Sequence, residues 1–443
     1  MPLQNRPHLT CLPLAQARHR FALLLEEAER RQPALHTAHA IAALLFLALA
    51  GLSPALSSIG FVALITAWLV RIPGTLKLNL ALARVPVIWF GMAWTGWAAL
   101  SGLWTAEGAG YASQLGSWRM VLVVPALWPV IRLWPALLTA LVCGVSLQNT
   151  IQVLQQAELF PPHHGSFGRH RGIGGHPGHV ATWTAASLLV IVAAGPMMSR
   201  DRRFWLAIPT GLALLGLAIA AARGAILGLL IALPVTVGTI VWRWGFRSTV
   251  RSLMPLMLAV AIATTAAVAI TIIAGSDWEN VRGQVVELNR VSTPGDAVGQ
   301  RFVFWTAARE LWLDHPLCGA GLGAFEPWVL QSAAVKRAIA DYPNDKTLSQ
   351  LLRAHHPHSV PLHALCELGV VGAVLAGSIA ACTLVGAWRL ARQNVLGCGV
   401  LGAAVLWIVA AQFDTLYLSG MTGGLGAVVV AIATLASRAT RQE

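Results

Sequence analysis

Four arginines and a run of histidines are the residues of this chain whose types and spacing could do chemistry. Arg223 stands in the apolar run Ala218 to Gly228, with no acid nearby in sequence. A guanidinium does not lose its proton and costs roughly 3 kcal/mol at the centre of a membrane helix. Arg223 therefore either snorkels from a helix end to lipid headgroups or faces an anionic ligand. Arg301 begins the stripe Phe304, Trp305, Ala308, Leu311 and Trp312, the spacing of an amphipathic helix. A charge in line with a buried face is either a ligand clamp or a helix-start residue whose stem packs on Trp305. Arg169 and Arg171 lie in the glycine-rich loop 159–179. Its backbone can come close to a phosphate or pyrophosphate, or the loop can lie on anionic lipid.

The histidines gather in His355-His356-Pro357-His358-Ser359-Val360-Pro361. Ser359 with Pro361 marks a helix start, so His358 falls just outside the helix N-terminus. The positive end of the helix dipole disfavours an imidazolium there and keeps His358 neutral, as a general base near pH 7 must be. His356 beside it is a candidate substrate contact. The cluster also admits interfacial hydrogen bonding or a zinc site, but His-Pro-His places the outer rings awkwardly for one metal and no cysteine joins them. No metal and no cofactor is inferred. Asp414, the sole acid of Gln412 to Tyr417, either orients an arginine or the acceptor, or caps the next helix.

The elements that must position these residues are membrane helices. The 443 residues are 56% hydrophobic and 11% charged, outside the range of soluble globular proteins. Runs of the required length fall near 36–52, 55–71, 84–104, 119–134, 136–158, 179–198, 204–221, 224–242, 253–274, 359–388, 395–412 and 419–437. The expected fold is an all-α polytopic membrane protein with about twelve transmembrane helices and one large helical loop. Its divisions are an N-terminal segment 1–35, spans 1–9 over 36–274, the loop 275–358, spans 10–12 over 359–437 and a tail 438–443. With both termini cytoplasmic, Arg71, Lys77, Arg84, Arg132, Arg200, Arg202, Arg203, Arg243, Arg247, Arg251, Arg389 and Arg392 fall on the inner side. That topology explains the net charge of +13, because the basic residues are scattered between apolar blocks, which excludes a nucleic-acid face. Most of the 14 histidines then fall on the outer side. The six cysteines show no close pairing, and no disulfide is expected. The segment 1–35 reads as cytoplasmic and amphipathic, without a cleaved signal peptide.

Over roughly residues 165 to 420 the chain resembles the O-antigen ligase and polymerase superfamily of bacterial envelope glycosyltransferases. Four ordered features carry the resemblance: Arg169 to Gly172 with Pro177; Ala222-Arg223-Gly224-Ala225-Ile226-Leu227-Gly228; Arg301 and Trp305 followed by Pro316, Leu317, Gly319 and Gly321; and His358, Ser359, Leu362, Leu365, Glu367 and Gly369. Ala222 stands where the pattern has serine, and Ser359 where asparagine is common.

The resemblance implies a GT-C-like enzyme of the bacterial inner membrane with a periplasmic catalytic face, closest to the ligase branch. It also implies a glycan donor carried on undecaprenyl pyrophosphate and the lipid A core oligosaccharide as acceptor. No DxD pair and no phosphate-binding loop occur, so neither a metal-dependent nucleotide-sugar enzyme nor an ATP-driven pump is supported. The expected roles are Arg223 and Arg301 on the leaving pyrophosphate, helped by Arg169 or Arg171, and His358 as base; His356, Asp414 and Trp305 are expected substrate contacts. The alternatives are an O-antigen polymerase, which uses a second lipid-linked glycan as acceptor, and a lipid-linked oligosaccharide transporter.

Overall fold

The computed structural model describes residues 14–105, 110–161, 172–251 with 253, 254 and 257, 297–343 and 348–439. Every regular element among them is a helix, because a chain in hydrocarbon must satisfy its backbone polar groups within itself. The helices used below are α1 (Leu14–Arg31), α2 (Pro33–Ala50), α3 (Pro54–Ala81), α4 (Pro86–Leu100), α5 (Trp134–Gln156), α6 (Pro177–Ala194), α7 (Ala207–Ala220), α8 (Arg223–Trp244), α9 (Ala297–Asp314), α10 (Ala333–Asp341), α11 (Val360–Gln393), α12 (Leu396–Ala410) and α13 (Gly420–Ala431). Proline stands in the first turn of six of these, α2 to α6 and α11, where its fixed φ suits a helix and its missing N–H costs nothing.

Eight helical stretches of the described residues are long and apolar enough to cross a membrane, and Leu396–Ala410 is a shorter apolar helix. The expected span 253–274 lies outside the described residues apart from 253, 254 and 257. The 46-residue stretch Tyr111–Gln156 doubles back on itself. Near its start Gln114 reaches the carbonyl of His355, its middle puts Arg132 3.6 Å from both Glu26 and Glu29 of α1, and Gln155 at its end grips Gly172. Both ends of that stretch therefore lie together, with Leu133 at the opposite end of the bundle. The most enclosed spans are Pro177–Met197 and Gly420–Ala439, each 89% buried, and they form the bundle centre. Around them α8 packs on α12, α12 on α6 and α11, and α5 on α2 and α7.

Three stretches differ from the sequence expectation, the first being 84–104, where α4 has 15 residues and is not among the eight membrane-length stretches. The connection expected at 71–84 is helical, since α3 runs on through Pro73 to Ala81. Arg71, expected on an inner loop, is fully buried under α1 and α2: its Nη1 lies 3.0 Å from His39 Nδ1 and its Nη2 donates to the carbonyl of Ala28. Those partners replace the water that a loop arginine would use. The span expected at 359–388 extends to Gln393 and is broken at Gly369, whose φ of 67° is left-handed. The turn 316–323 enters at that break. Ala320 and Gly321 N–H donate to the carbonyls of Cys366 and Glu367, and Val370 N–H donates to that of Pro316. A Cβ at Gly369 would stand 2.1 Å from the Leu317 carbonyl oxygen, so both φ and space require glycine.

The described part of 275–358 builds a small cap with its own core. Phe304, Ala307, Ala308 and Leu311 of α9 meet Phe325, Val329, Val335 of α10, Leu348 and Leu352, and join α11 through Cys366. The buried stripe of α9 is thus 304, 307, 308 and 311, with Trp305 and Trp312 at its half-buried edge.

Candidate functional site

Four helices begin at one place. His176 caps α6 by accepting the Gly178 N–H at 3.1 Å, Arg223 is the first residue of α8, Ser359 caps α11, and Ser419 precedes α13. The connection 411–419 ties these starts together. Val360 N–H donates to the carbonyl of Ala411 at 2.8 Å, Gly224 packs on Phe413, and Ser419 Oγ lies 3.2 Å from His179 Nδ1. Each helix start presents unpaired N–H groups and the positive end of a dipole, so their convergence favours an anion.

Asp414 sits in the middle of that connection. Its Oδ1 is 3.6 Å from His358 Nδ1, within ion-pair range though longer than a hydrogen bond, and accepts the N–H of Thr415 at 2.8 Å. The side chains of His358 and Asp414 are 37% and 25% exposed, open enough to meet a ligand. Burial works to raise the Asp414 carboxyl, yet it is held well below the usual carboxylate range, first by its contact with His358 and then by His179 and His356. One ligand-capable atom each of His356, His358 and Asp414 lies within 4.8 Å of the others, and the same holds for His176, His179 and Asp414.

His358 itself has a φ of 52°, a left-handed conformation that costs a non-glycine residue about 1 to 2 kcal/mol. The neighbours hold it there. Its N–H donates to His356 Nδ1 at 3.3 Å, its ring stacks on Phe304 at 5.9 Å, and the His356 ring stands edge-on at 4.4 Å. An amide only donates, so His356 Nδ1 carries a lone pair, which the Thr415 hydroxyl also shares at 3.0 Å. His356 is therefore the neutral Nε2–H tautomer, and burial followed by the nearby His358 pushes its pKa down to about 3.

Arg301 enters from α9. Burial, with the repulsion of Arg223, lowers the Arg301 guanidinium from its ordinary value, while Asp414 acts against the fall. Arg301 is within electrostatic reach of both Asp414 and Arg223, and Gly224, which follows Arg223, packs on Phe413, which precedes Asp414. Trp305 lies one turn on, its ring 6.4 Å from Phe413 and its buried Nε1 without a protein hydrogen-bond partner among the described residues. Of the expected site residues, His358, His356, Asp414, Arg223, Arg301 and Trp305 are thus brought together, while Arg169 and Arg171 lie outside the described residues.

The sequence reading missed two groups. His176 and His179 close the glycine-rich loop 159–179 and take no role in the sequence reading; their spacing across a helix start, Gly-Gly-His-Pro-Gly-His, is the available signal. The second group lies below His358. Glu367, fully buried, accepts the N–H of Gly323 at 2.7 Å and of Phe325 at 3.1 Å, and its Oε2 lies 2.9 Å from His363 Nε2; His363 Nδ1 bonds in turn to the Tyr417 hydroxyl. This chain joins the turn 319–323, α11 and the connection 411–419. Glu367 stands in the motif with His358 and Gly369, but nothing in local periodicity discloses its partners.

Residues 208–377 match the family model described as O-Antigen ligase, a narrower stretch than the 165 to 420 over which the motifs were read. The match contains Arg223, Arg301, Trp305, His356 and His358 but not Asp414, His176 or His179. No curated protein matches the chain.

Proposed function

We propose, from the premise that residues 208–377 carry the domain of the O-antigen ligase superfamily of membrane glycosyltransferase-like enzymes, that the protein is an O-antigen ligase. It moves a glycan from undecaprenyl pyrophosphate to the lipid A core oligosaccharide. The observation that carries this reading is His358 beside Asp414 where four helices begin, with Arg223 heading one of those helices and Arg301 within electrostatic reach of Asp414.

In the proposed step an acceptor hydroxyl attacks the anomeric carbon of the donor sugar. The new C–O bond forms as the bond from that carbon to the phosphate oxygen breaks on the opposite face, so configuration inverts. His358 takes the hydroxyl proton. Asp414 beside Nδ1 favours the tautomer with the proton on Nδ1 and leaves the Nε2 lone pair for the acceptor. The electron pair leaves with undecaprenyl pyrophosphate, whose growing charge is met by Arg223, Arg301 and the helix starts without reorganisation of solvent. Such a leaving group departs without a protonating carboxylic acid. Arg169 and Arg171 are proposed as further pyrophosphate contacts, His356 and Trp305 as substrate contacts. The site faces the periplasm of the inner membrane in this reading, because Arg200, Arg202, Arg203, Arg243, Arg247, Arg251, Arg389 and Arg392 flank the opposite ends of their helices.

The test supplies purified protein with the lipid-pyrophosphate glycan and lipid A core. A core-linked product, formed equally well in the presence of a chelator, is the expected result. A longer lipid-linked chain would reassign the protein as a polymerase, and no transfer to either acceptor would overturn glycosyl transfer.

A further inference from the structure

Asp414 has a second face that the transfer mechanism leaves unused. On that side, His176, His179 and Asp414 each offer an atom within 4.8 Å of the other two, and the two imidazoles stand 5.0 Å apart. We infer that His176, His179 and Asp414 form a binding site for a transition-metal ion of the zinc class, whose occupation inhibits the protein by drawing Asp414 away from His358. The inhibitory half rests on the function proposed above; the binding half does not.

The geometry suits such an ion. Zinc bonds of about 2.0–2.2 Å in a tetrahedral arrangement set donors roughly 3.3 to 3.6 Å apart, so rotation of side chains by about 1 Å closes the three. Gly178 leaves the space between them open: a Cβ there would stand 3.1 Å from His176 Nδ1 and 3.9 Å from Asp414 Oδ2. His176 is exposed and gives an ion access from solvent. Ser419 Oγ, 3.2 Å from His179 Nδ1, is placed to accept a proton held there and so leave the Nε2 lone pair for a metal, the usual support of a ligating histidine. The other trio, His356 with His358 and Asp414, is less suited, because His356 Nδ1 already takes the His358 N–H and the Thr415 hydroxyl.

Two effects oppose a cation. The start of α6 is the positive end of a dipole, and the Arg301 guanidinium is within electrostatic reach of Asp414. They select the kind of ion. A hard cation held mainly by oxygen gains little from two imidazoles, whereas a zinc-class ion forms inner-sphere bonds to both. Capture also exchanges the cap that His176 gives Gly178 for a metal bond, so the site is a switchable one and not a permanent part of the fold.

Cobalt(II) added to the purified full-length chain is the probe. The expected result is a visible absorption band of a low-coordinate site at one equivalent, abolished by zinc and unaffected by magnesium. His176→Asn keeps a capping side chain but no imidazole, and His179→Gln keeps a polar group; both lose the band while eluting as the wild type does. In the transfer assay zinc lowers wild-type turnover by about tenfold or more, the ceiling being the roughly 10² to 10⁴ that a general base contributes. Whatever turnover His176→Asn keeps without zinc, zinc does not lower it further, and a loss as large as in the wild type would overturn the inhibitory role. Absence of the band, or its survival in both variants, would overturn the site, as would its loss in His356→Asn. A normal band in a protein without transfer activity keeps the metal site and removes the function; transfer without a band does the reverse.

Discussion

Replacing Glu367 by alanine removes the acceptor that holds the turn 319–323 against α11. In the native chain this buried carboxyl takes the Gly323 N–H at 2.7 Å and the Phe325 N–H at 3.1 Å, with His363 Nε2 2.9 Å away and no exposure of either side chain. Alanine leaves two buried amides without an acceptor. A buried donor left unsatisfied costs about 1 to 3 kcal/mol, so the two together cost about 2 to 6 kcal/mol before any relaxation. Relaxation is hindered because Gly319 has a φ of 72° and a Cβ there would lie 2.3 Å from the Glu367 backbone carbon, which shows how tightly the turn is seated. For chains of 150–250 residues each kcal/mol shifts the melting temperature by about 2 to 4 °C; for this longer chain a fall on the order of 5 °C is expected. Thermal unfolding in detergent, followed by tryptophan fluorescence, measures it. Glu367→Gln keeps one acceptor oxygen and falls between wild type and alanine. A melting temperature unchanged in Glu367→Ala would refute the view that these amides depend on the carboxyl.

The remaining predictions concern the site. His358→Ala lowers transfer by about 10² to 10⁴, and Asp414→Asn lowers it less while changing its pH profile; turnover near normal in His358→Ala removes it as base. Arg223→Ala and Arg301→Ala each lower transfer on the order of 10² or more, the cost of losing a donor at developing charge, and Arg301→Lys does not restore it because a point charge lacks the guanidinium fork; steady-state kinetics on folded variants decides. His356 in the folded chain has its pKa pushed from 6.5 to about 3. Below pH 6.5 the unfolded chain takes up a proton that the folded one does not, so the stability contributed by this ring is complete above that pH and declines toward pH 3, by at most about 1.4 kcal/mol per pH unit. Unfolding measured across that window has a shallower acid slope in His356→Asn, and an unchanged slope would mean that the ring is not held neutral.

How much of this was legible beforehand follows from the range of each interaction. Hydropathy made a polytopic helical membrane protein unavoidable, because a chain that is 56% hydrophobic and 11% charged has few other ways to be satisfied. The helix starts at Pro177, Arg223 and Val360 were written in Pro, Ser and the apolar runs, since caps act over three or four residues. Arg223, Arg301 and His358 were also visible, as charges or imidazoles beside apolar stretches within the segment that matches the O-antigen ligase family model. Where α3 would end was not visible. Pro73 and Arg71 read locally as a connection, and only the cover of α1 and α2, with His39 and the Ala28 carbonyl in place of water, lets the helix continue.

The tertiary structure alone decided what surrounds His358. Asp414 comes to it from the connection after α12, while His176 and His179 approach Asp414 from the start of α6. The turn after Pro316 enters α11 at Gly369, and Glu367 holds it there. Sequence spacing reports which side chains share a face of one helix, because neighbours three and four apart meet whatever the rest of the chain does. Which helix ends meet is set by packing among all the spans at once, and at this end of the bundle that packing gathers four helix starts, two arginines and three further imidazoles around one carboxylate and one strained imidazole.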